Sequence, residues 1–306
     1  MRGIASVGEC MLELSGQSGE TWRLGYAGDT FNTMWTMRAL TQAAVATDYV
    51  SAFGDDPFSH QQIAFFQEHG IGIASSPIIP GARPGLYAIT LTGAERSFAY
   101  WRSDAAARQL ARDPAALARS LDGRQLVYFS GITLAILEAS ARTVLLNALS
   151  ESRRSGTRIA FDPNYRPRLW QDTDEARLWV TSALGVADVA LPTFPDEAAL
   201  FGDRTPEETA ERMVRAGVAE VAVKNGEEPA LIASRGGHHT SPAVRVAAPV
   251  DTTGAGDSFN GAYLVARLQG DEPHEAAAKA HRVAAAVIQV RGALAPFETL
   301  RSAFGE

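Results

Sequence analysis

Cysteine is almost absent from this chain of 306 residues, and Cys10 is its one thiol. A single cysteine excludes an internal disulfide and any metal site that needs several thiolates. Cys10 follows the short apolar run at residues 4–8, which predicts a buried small side chain rather than a nucleophile.

Long hydrophobic runs and an excess of basic residues are missing as well. No stretch of about 18 apolar residues occurs, so no membrane-spanning helix is predicted. The first residues lack the apolar centre of a signal peptide and predict a β-strand, which makes the cytoplasm the expected compartment. The net charge of −7 disfavours a general nucleic-acid binder.

The remaining composition is that of an ordinary globular protein, with 46% hydrophobic and 21% charged residues. Short apolar runs predict strands at Ile4–Val7, Val45–Ala52, Leu126–Phe129, Arg158–Phe161, Val186–Leu191, Glu220–Lys224 and Ala230–Ala233. Helical patterns lie between them at Thr30–Leu40, Pro57–His69, Ser140–Ser155, Asp174–Leu184 and Pro206–Ala216, with more towards the C-terminus. This alternation predicts an α/β fold with a mainly parallel central sheet and helices on both faces.

Two stretches, residues 11–27 and 74–103, interrupt the alternation. The second contains a predicted hairpin, in which strands beginning at Leu86 and Ser97 flank a loop with Gly93. We interpret the two stretches as a small β-sheet lid on a core made of residues 1–10, 28–73 and 104–306. A lid that excludes water would suit phosphoryl transfer, because water could otherwise accept the phosphoryl group.

The most informative motif is Asp-Thr-Thr-Gly-Ala-Gly-Asp-Ser-Phe at residues 251–259, between a predicted strand at Ala243–Val250 and a predicted helix at Ser258–Leu268. Gly254 and Gly256 allow close approach of the backbone to a ligand, and the N–H groups at a helix start favour an anion. Asp257 in that position suits a base that takes a proton from an attacking hydroxyl. The alternative interpretation is a plain turn with a helix cap.

Together with Tyr-Ala-Gly-Asp-Thr-Phe-Asn at residues 26–32, this motif resembles the two signatures of the ribokinase-like (PfkB-type) carbohydrate kinases. Ala27 replaces the first glycine of that family's usual Gly-Gly pair. The resemblance extends along essentially the whole chain. Further segments, at residues 8–14, 100–108, 129–134, 162–170 and 192–198, resemble the family members that act on 2-keto-3-deoxygluconate.

The resemblance implies a ribokinase-like fold and an ATP- and Mg²⁺-dependent kinase. The substrate would be a small sugar acid, 2-keto-3-deoxygluconate, phosphorylated at its C6 hydroxyl. Asp257 would be the base, and the N–H groups of Gly254, Ala255 and Gly256 would stabilise the transferring phosphoryl group. The pKa of Asp257 need not be raised for this role, because deprotonation of the acceptor can be late.

The same resemblance assigns the remaining candidate residues. Substrate-binding residues would be Gly28, Asp29, Asn32, Tyr87, Tyr100, Arg102, Arg166 and Asp257, with the two arginines holding the carboxylate. Nucleotide-binding residues would be Lys224, Asn225, Gly226, Thr253, Gly254, Gly256, Ala280 and Ala284. Either Asp196 or Glu197 would serve the Mg²⁺ water network. Asp251 would either ligate a monovalent cation such as K⁺ or orient the loop.

Three alternatives stay open at the level of sequence. The first is a kinase of this fold for a neutral sugar such as fructose or ribose. The second is a sugar-binding protein without catalysis. The third, a nicotinamide-binding protein, is disfavoured because no G-x-G-x-x-G follows the first strand. Because an exposed lid would have unpaired edges, a homo-oligomer formed through the lid is also expected.

Overall fold

The computed structural model describes residues 3–16, 21–92, 95–234 and 237–305. The strands in these ranges are, in chain order, β1 Ile4–Val7, β2 Met11–Ser15, β3 Arg23–Ala27, β4 Thr47–Val50, β5 Phe53–Gly54, β6 Ile78–Ile79, β7 Leu86–Thr92, β8 Glu95–Trp101, β9 Leu126–Ser130, β10 Arg158–Asp162, β11 Val189–Ala190, β12 Glu220–Asn225, β13 Glu228–Ser234 and β14 Gly237–Ser241.

The α-helices of the same ranges cover both faces of the larger sheet. They are α1 Asp29–Leu40, α2 Pro57–Glu68, α3 Pro114–Leu121, α4 Gly131–Ala135, α5 Ala139–Arg154, α6 Thr173–Leu184, α7 Phe194–Phe201, α8 Pro206–Arg215, α9 Ala255–Gln269, α10 Pro273–Val287 and α11 Phe297–Phe304. None of the helices in the described ranges has the length and apolar character needed to cross a bilayer.

The larger sheet has the strand order β14-β13-β12-β11-β10-β9-β1-β4. Its strands from β12 to β4 run parallel, whereas β13 and β14 add to the edge in antiparallel fashion. The predicted mainly parallel sheet is therefore confirmed. The order reverses next to β1, since the chain continues to β4 on one side and to β9 on the other. Such a switch point opens a crevice at the carboxyl ends of the strands, where α/β proteins bind ligands.

Two hydrophobic cores lie on the two faces of this sheet. One is formed by alternate strand side chains such as Val7 and Phe129 with helices that include α5 and α6. The other joins side chains such as Ile4 and Tyr128 to α1, α9 and α10. A strand buried on both faces needs apolar residues throughout, which is why β9 shows a continuous apolar run rather than an alternating pattern.

A separate four-stranded sheet, here called the small sheet, has the order β3-β2-β7-β8. The predicted hairpin of β7 and β8 is confirmed, with Tyr87 opposite Tyr100, although Gly93 of its loop lies outside the described residues. Met11, Ala27 and Tyr87 share one face of the small sheet and pack with Ala293 of the core. That face therefore looks towards the crevice. The segment Ile78–Ile79 pairs instead with β5.

One predicted strand is wrong. Residues 243–250 form no strand in the structure, and Val250 is about half exposed. Pro242 precedes the segment and Pro249 lies within it, and proline supplies no N–H to a sheet ladder. The edge of the large sheet is instead completed by β14, which the sequence did not predict.

The alanine-rich region 105–118 contains two separate helical segments. A short 3₁₀ segment, Ala106–Gln109, comes first. Helix α3 then begins at Pro114, where the Asp113 carboxylate accepts from the N–H groups of Ala115 and Ala116. Proline at the first helical position needs no intrahelical partner for its nitrogen, so it starts this helix rather than breaking it.

Candidate active site

The glycine-rich turn before α9 is shaped to receive an anion. Gly254 adopts a positive φ of 77°, and a Cβ there would lie 2.8 Å from the Cβ of Ala293. Within the described part of the chain, no side chain caps the start of α9. The N–H of Ala255 donates to the carbonyl oxygen of Thr252 at 3.3 Å, a long hydrogen bond that an anion could replace. The start of α9 therefore suits an external acceptor, and the helix dipole favours a negative one.

Asp251 fixes the geometry of this turn. Its Oδ1 accepts from the N–H of Thr253 at 3.0 Å and from the Thr253 hydroxyl at 2.7 Å. Its Oδ2 accepts from the N–H of Gly292 at 2.9 Å. Asp251 thus ties residues 251–253 to the segment after α10, which supports the loop-orienting alternative for this residue.

Asp257 lies in the first turn of α9, directly beside α1. The Asn32 amide donates to its Oδ2 at 2.8 Å, and the Thr33 hydroxyl donates to its backbone carbonyl at 3.1 Å. Burial and the negative charge of Asp29 raise the pKa of the Asp257 carboxyl to about 7, although the hydrogen bond from Asn32 opposes them. The raised pKa of Asp257 could not be predicted from the motif alone, because Asp29 lies more than 200 positions earlier in the chain.

Asp29 begins α1 immediately after Gly28. A Cβ on Gly28 would lie 2.2 Å from the carbonyl oxygen of Glu9, so only glycine fits at this crossing. The Asn164 amide donates to Asp29 Oδ2 at 2.8 Å. Asn164 adopts a positive φ of 36°, and its own N–H is held by Asp162 at 3.0 Å. This backbone conformation is strained for a residue other than glycine, and such strained residues are often found at functional sites.

Both candidate carboxylate-binding arginines already have an acidic partner. Arg102, which follows β8, forms a buried ion pair with Glu9, whose second carboxylate oxygen accepts no bond from the described residues. Burial raises the pKa of Glu9, and Arg102 opposes that shift. Arg166 Nη1 lies 3.1 Å from Asp196 Oδ2, and 49% of the Arg166 side chain is exposed. A guanidinium has five donors, so each arginine keeps N–H groups for a further carboxylate.

The two candidate tyrosines lie side by side on the small sheet. Their ring centroids are 5.8 Å apart, and the rings stack. Tyr87 is buried and donates its hydroxyl to Glu13, whereas Tyr100 is 52% exposed. Tyr100 is therefore the more accessible of the two to a ligand in the crevice.

The candidate nucleotide residues are only partly brought together. Ala284 is partly exposed on α10, but Ala280 is fully buried in the core and is not accessible to a nucleotide. Asn225 ends β12, and Gly226 uses its positive φ of 62° in the tight turn to β13. Lys224, expected to bind the nucleotide, is buried in an ion pair with Asp162.

The adjacent acidic residues Asp196 and Glu197 of α7 differ in burial. Glu197 is fully buried and pairs with Arg212 at 2.7 Å, so its carboxylate is not accessible from the crevice. Asp196 is partly exposed and faces Arg166. The structure therefore favours Asp196 over Glu197 for contact with metal-bound water. The described residues contain no cluster of three or more histidine, cysteine or acidic side chains suited to a metal ion.

A cleft of about 700 Å³ separates the small sheet from the core. The small sheet contributes Glu13, Arg23 and Gly25 to its walls, while the core contributes Asp251 and Thr253 with the residues 291–294. This volume lies within the range of small-molecule sites. Asp251 and Thr253 line this cleft, whereas Asp257, Asp29 and the two candidate arginines are not among its lining residues. Its walls combine the acidic Glu13 and Asp251 with the basic Arg23 and Arg291, so the cleft adjoins the glycine turn without a charge that would select an anion.

Sequence reasoning missed several residues that organise the site. Glu9 pairs with Arg102, Asn164 binds Asp29, and Asp162 and Asn260 surround Lys224. The sequence did offer a sign of these roles, because Asp162 and Asn164 lie in the same segment as the candidate Arg166. Asn260 follows Asp257 by three positions, which places both on one side of a helix. Their partners could not be inferred, since each comes from a different strand or helix.

Known proteins that are similar to this chain include carbohydrate kinases. The model of the pfkB family carbohydrate kinases matches residues 1–300. A protein of Dickeya dadantii named 2-dehydro-3-deoxygluconokinase is 40% identical over 306 residues, which is 98% of either chain. A protein of the same name from Escherichia coli K12 is 40% identical over 97% of this chain and 98% of its own.

Among solved structures, the fold is shared with a putative ribokinase II from E. coli in complex with ATP and Mg²⁺. The TM-score is 0.86 at 23% identity, over 99% of both chains. At this identity the likeness concerns the fold, and it confirms the predicted ribokinase-like architecture.

Proposed function

The chain belongs to the pfkB family of carbohydrate kinases, and we propose that it transfers a phosphoryl group from ATP to the C6 hydroxyl of 2-keto-3-deoxygluconate. The products are 2-keto-3-deoxy-6-phosphogluconate and ADP. The observation that carries the proposal is the pairing of Asp257 with an uncapped glycine turn at the start of α9. The names of the relatives at 40% identity supply the substrate.

Asp257 acts as the base in this proposal. Its position beside the turn puts a carboxylate where the acceptor hydroxyl must meet the phosphoryl group, and it takes the proton of that hydroxyl. Asn32 holds Oδ2 at 2.8 Å and leaves Oδ1 for the substrate. Asp29, fixed by Asn164, accepts a hydrogen bond from a neighbouring sugar hydroxyl.

The turn at Gly254, Ala255 and Gly256 stabilises the negative charge that develops on the phosphoryl oxygens, because its N–H groups are oriented before the reaction begins. Mg²⁺, when bound with ATP, neutralises phosphate charge and keeps most of its water ligands. Asp196 is the residue suited to hold one of those waters, and Ala284, Asn225 and Gly226 are suited to border the nucleotide. Asp251 with Thr253 keeps the turn in place, whether or not K⁺ binds there.

Recognition of the sugar carboxylate falls to Arg102 and Arg166. Arg102 directly follows strand β8 of the small sheet, and Arg166 lies in the loop after β10 of the large sheet. The two arginines therefore come from different sheets. A planar guanidinium matches a carboxylate in a bidentate manner. Tyr100 adds a hydroxyl from the face of the small sheet that looks towards the crevice.

The site of phosphorylation is the sharpest test of this function. The protein is incubated with ATP, Mg²⁺ and 2-keto-3-deoxygluconate, and the product is examined by ³¹P NMR with coupling to protons. Phosphate on C6 gives a signal split by the two C6 protons, and we expect that pattern. A phosphorus signal coupled to one proton, or ADP formed without a phosphorylated sugar, would contradict the proposal.

We also propose a homo-oligomer formed through the small sheet. Trp101 is 60% exposed at its edge strand β8, and Leu24 is exposed at the opposite edge β3. Exposed edges with large apolar residues favour pairing with another chain. Light scattering at micromolar concentration tests this, and a monomeric mass would refute it.

A further inference from the structure

Four side chains form a buried polar network beneath the glycine turn. Lys224 Nζ donates to Asp162 Oδ2 and to Asn260 Oδ1, both at 2.8 Å. The Asn260 amide donates to Asp162 Oδ2 at 2.7 Å and to the Tyr128 hydroxyl at 3.1 Å. A buried ammonium is costly unless it is paired and hydrogen-bonded, and Lys224 is both.

This network lies against the catalytic turn. A Cβ on Gly256 would lie 3.7 Å from Lys224 Nζ. Asn260 is on α9, three residues after Asp257, so it faces the same side of the helix as the proposed base. The Lys224 side chain is only 9% exposed. Its ammonium is therefore a fixed charge next to the turn rather than a mobile surface contact for nucleotide phosphates.

The charges that act on Asp257 come from three elements. Asp29 on α1 and Asp162 on β10 are negative, and Lys224 on β12 is positive. The hydroxyl of Tyr128 on β9 lies close by, and the Asp196 carboxyl on α7 also responds to Lys224. Burial, Asp29 and Asp162 raise the pKa of Asp257, whereas Asn32 and Lys224 lower it. Lys224 thus opposes two neighbouring carboxylates.

We propose that Lys224 is a positioning residue for catalysis: held by Asp162 and Asn260, its ammonium stabilises the negative charge of the Asp257 carboxylate at the glycine turn. The inference rests on the proposed function, in which Asp257 is the base. Lys224 acts through Asp257 and does not touch the substrate. The network thereby keeps the base ionised in a crevice that already contains several carboxylates.

Variants of the two charged members separate a charge effect from a structural one. In Lys224→Met the acid limb of the pH profile of kcat should move up by about one pH unit, because a nearby cation is lost. In Asp162→Asn it should move down. The double variant should fall between the two. Tyr128→Phe is the matched control, since it removes a hydrogen bond of the network and no charge, and its acid limb should stay in place.

A second measurement needs no substrate. The carboxyl carbon of Asp257 is titrated by ¹³C NMR in protein labelled at aspartate, with Asp257→Asn used to identify the signal. The expected shifts have the same signs as those of the kinetic profiles. If Lys224→Met does not fold, Lys224→Gln takes its place, because glutamine keeps a donor for Asp162 without the charge, and its titration midpoint must lie above that of the wild type.

The outcomes distinguish this inference from the proposed function. Coincident titrations of Asp257 in the wild type and in folded Lys224→Met overturn the role of Lys224, and so does an equal loss of activity at every pH. A wild-type protein that forms no ADP with 2-keto-3-deoxygluconate overturns the proposed function instead. In that event the NMR titration still decides the charge effect.

Discussion

Asp257→Asn should make the folded protein more stable while it removes catalysis. The Asp257 carboxyl has a pKa of about 7 in the folded protein, against an ordinary value of 3.8. Because the folded pKa is raised, the carboxyl lowers the stability of the fold as pH rises from about 4 to 7. Asparagine has no proton to lose and can still accept the hydrogen bond from Asn32.

The magnitude follows from the shift of about three pKa units. At about 1.4 kcal/mol per unit the full effect is about 4 kcal/mol. Water in the open crevice screens the charge, so roughly 2 kcal/mol is a reasonable expectation. The stabilisation should be close to zero near pH 4 and reach its full value above pH 7.

Urea unfolding of the two proteins at several pH values between about 5 and 8.5 measures this difference. Glu68→Gln, which removes an exposed carboxylate at the end of α2, is the matched control and should show no such trend. A difference between Asp257→Asn and wild type that stays flat with pH would refute the argument. So would an Asp257→Asn protein that is less stable than wild type at pH 8.

Three further substitutions test other parts of the site. Arg166→Leu should lower kcat/KM for 2-keto-3-deoxygluconate about 10- to 100-fold, because a charged hydrogen bond to the substrate is lost. Arg168→Leu, at an exposed neighbouring position, should change kcat/KM little. Equal losses in the two variants would contradict a contact between Arg166 and the carboxylate. Gly254→Ala should lower both kcat and the free energy of unfolding, the latter by about 1–3 kcal/mol, because of its φ of 77° and the contact with Ala293. Gly156→Ala, with a positive φ but open space around it, isolates the backbone cost, and an equal effect on kcat there would count against the turn. Tyr100→Phe should raise the KM for the sugar acid about tenfold and leave the KM for ATP unchanged; unaltered steady-state kinetics would remove Tyr100 from the sugar site.

The features that could be predicted from the sequence are local ones. The turn at Gly254 depends on neighbours within a few residues, and the β7–β8 hairpin is evident from two apolar runs around a loop. The segment 243–250 looked like a strand for the same local reason, but a strand also needs a free sheet edge, and β14 already occupies it.

The relations between distant elements could not be predicted in this way. Lys224 and Asp162 are 62 residues apart, so the burial of the lysine depends on the order of the strands. Asp196 and Glu197 are adjacent in sequence, yet about 100° apart around α7, and the helix orientation alone decides which one faces the crevice. The raised pKa of Asp257 likewise depends on Asp29, which α1 brings beside α9.

The substrate preference is the central claim, and the initial rate of ADP formation tests it most directly. The wild-type protein is assayed with ATP and Mg²⁺ at equal, subsaturating concentrations of 2-keto-3-deoxygluconate, fructose and ribose. Because Arg102 and Arg166 offer donors to a carboxylate that neutral sugars lack, the rate with the sugar acid should be higher by about 100-fold or more. An equal or faster rate with fructose or ribose would contradict the account.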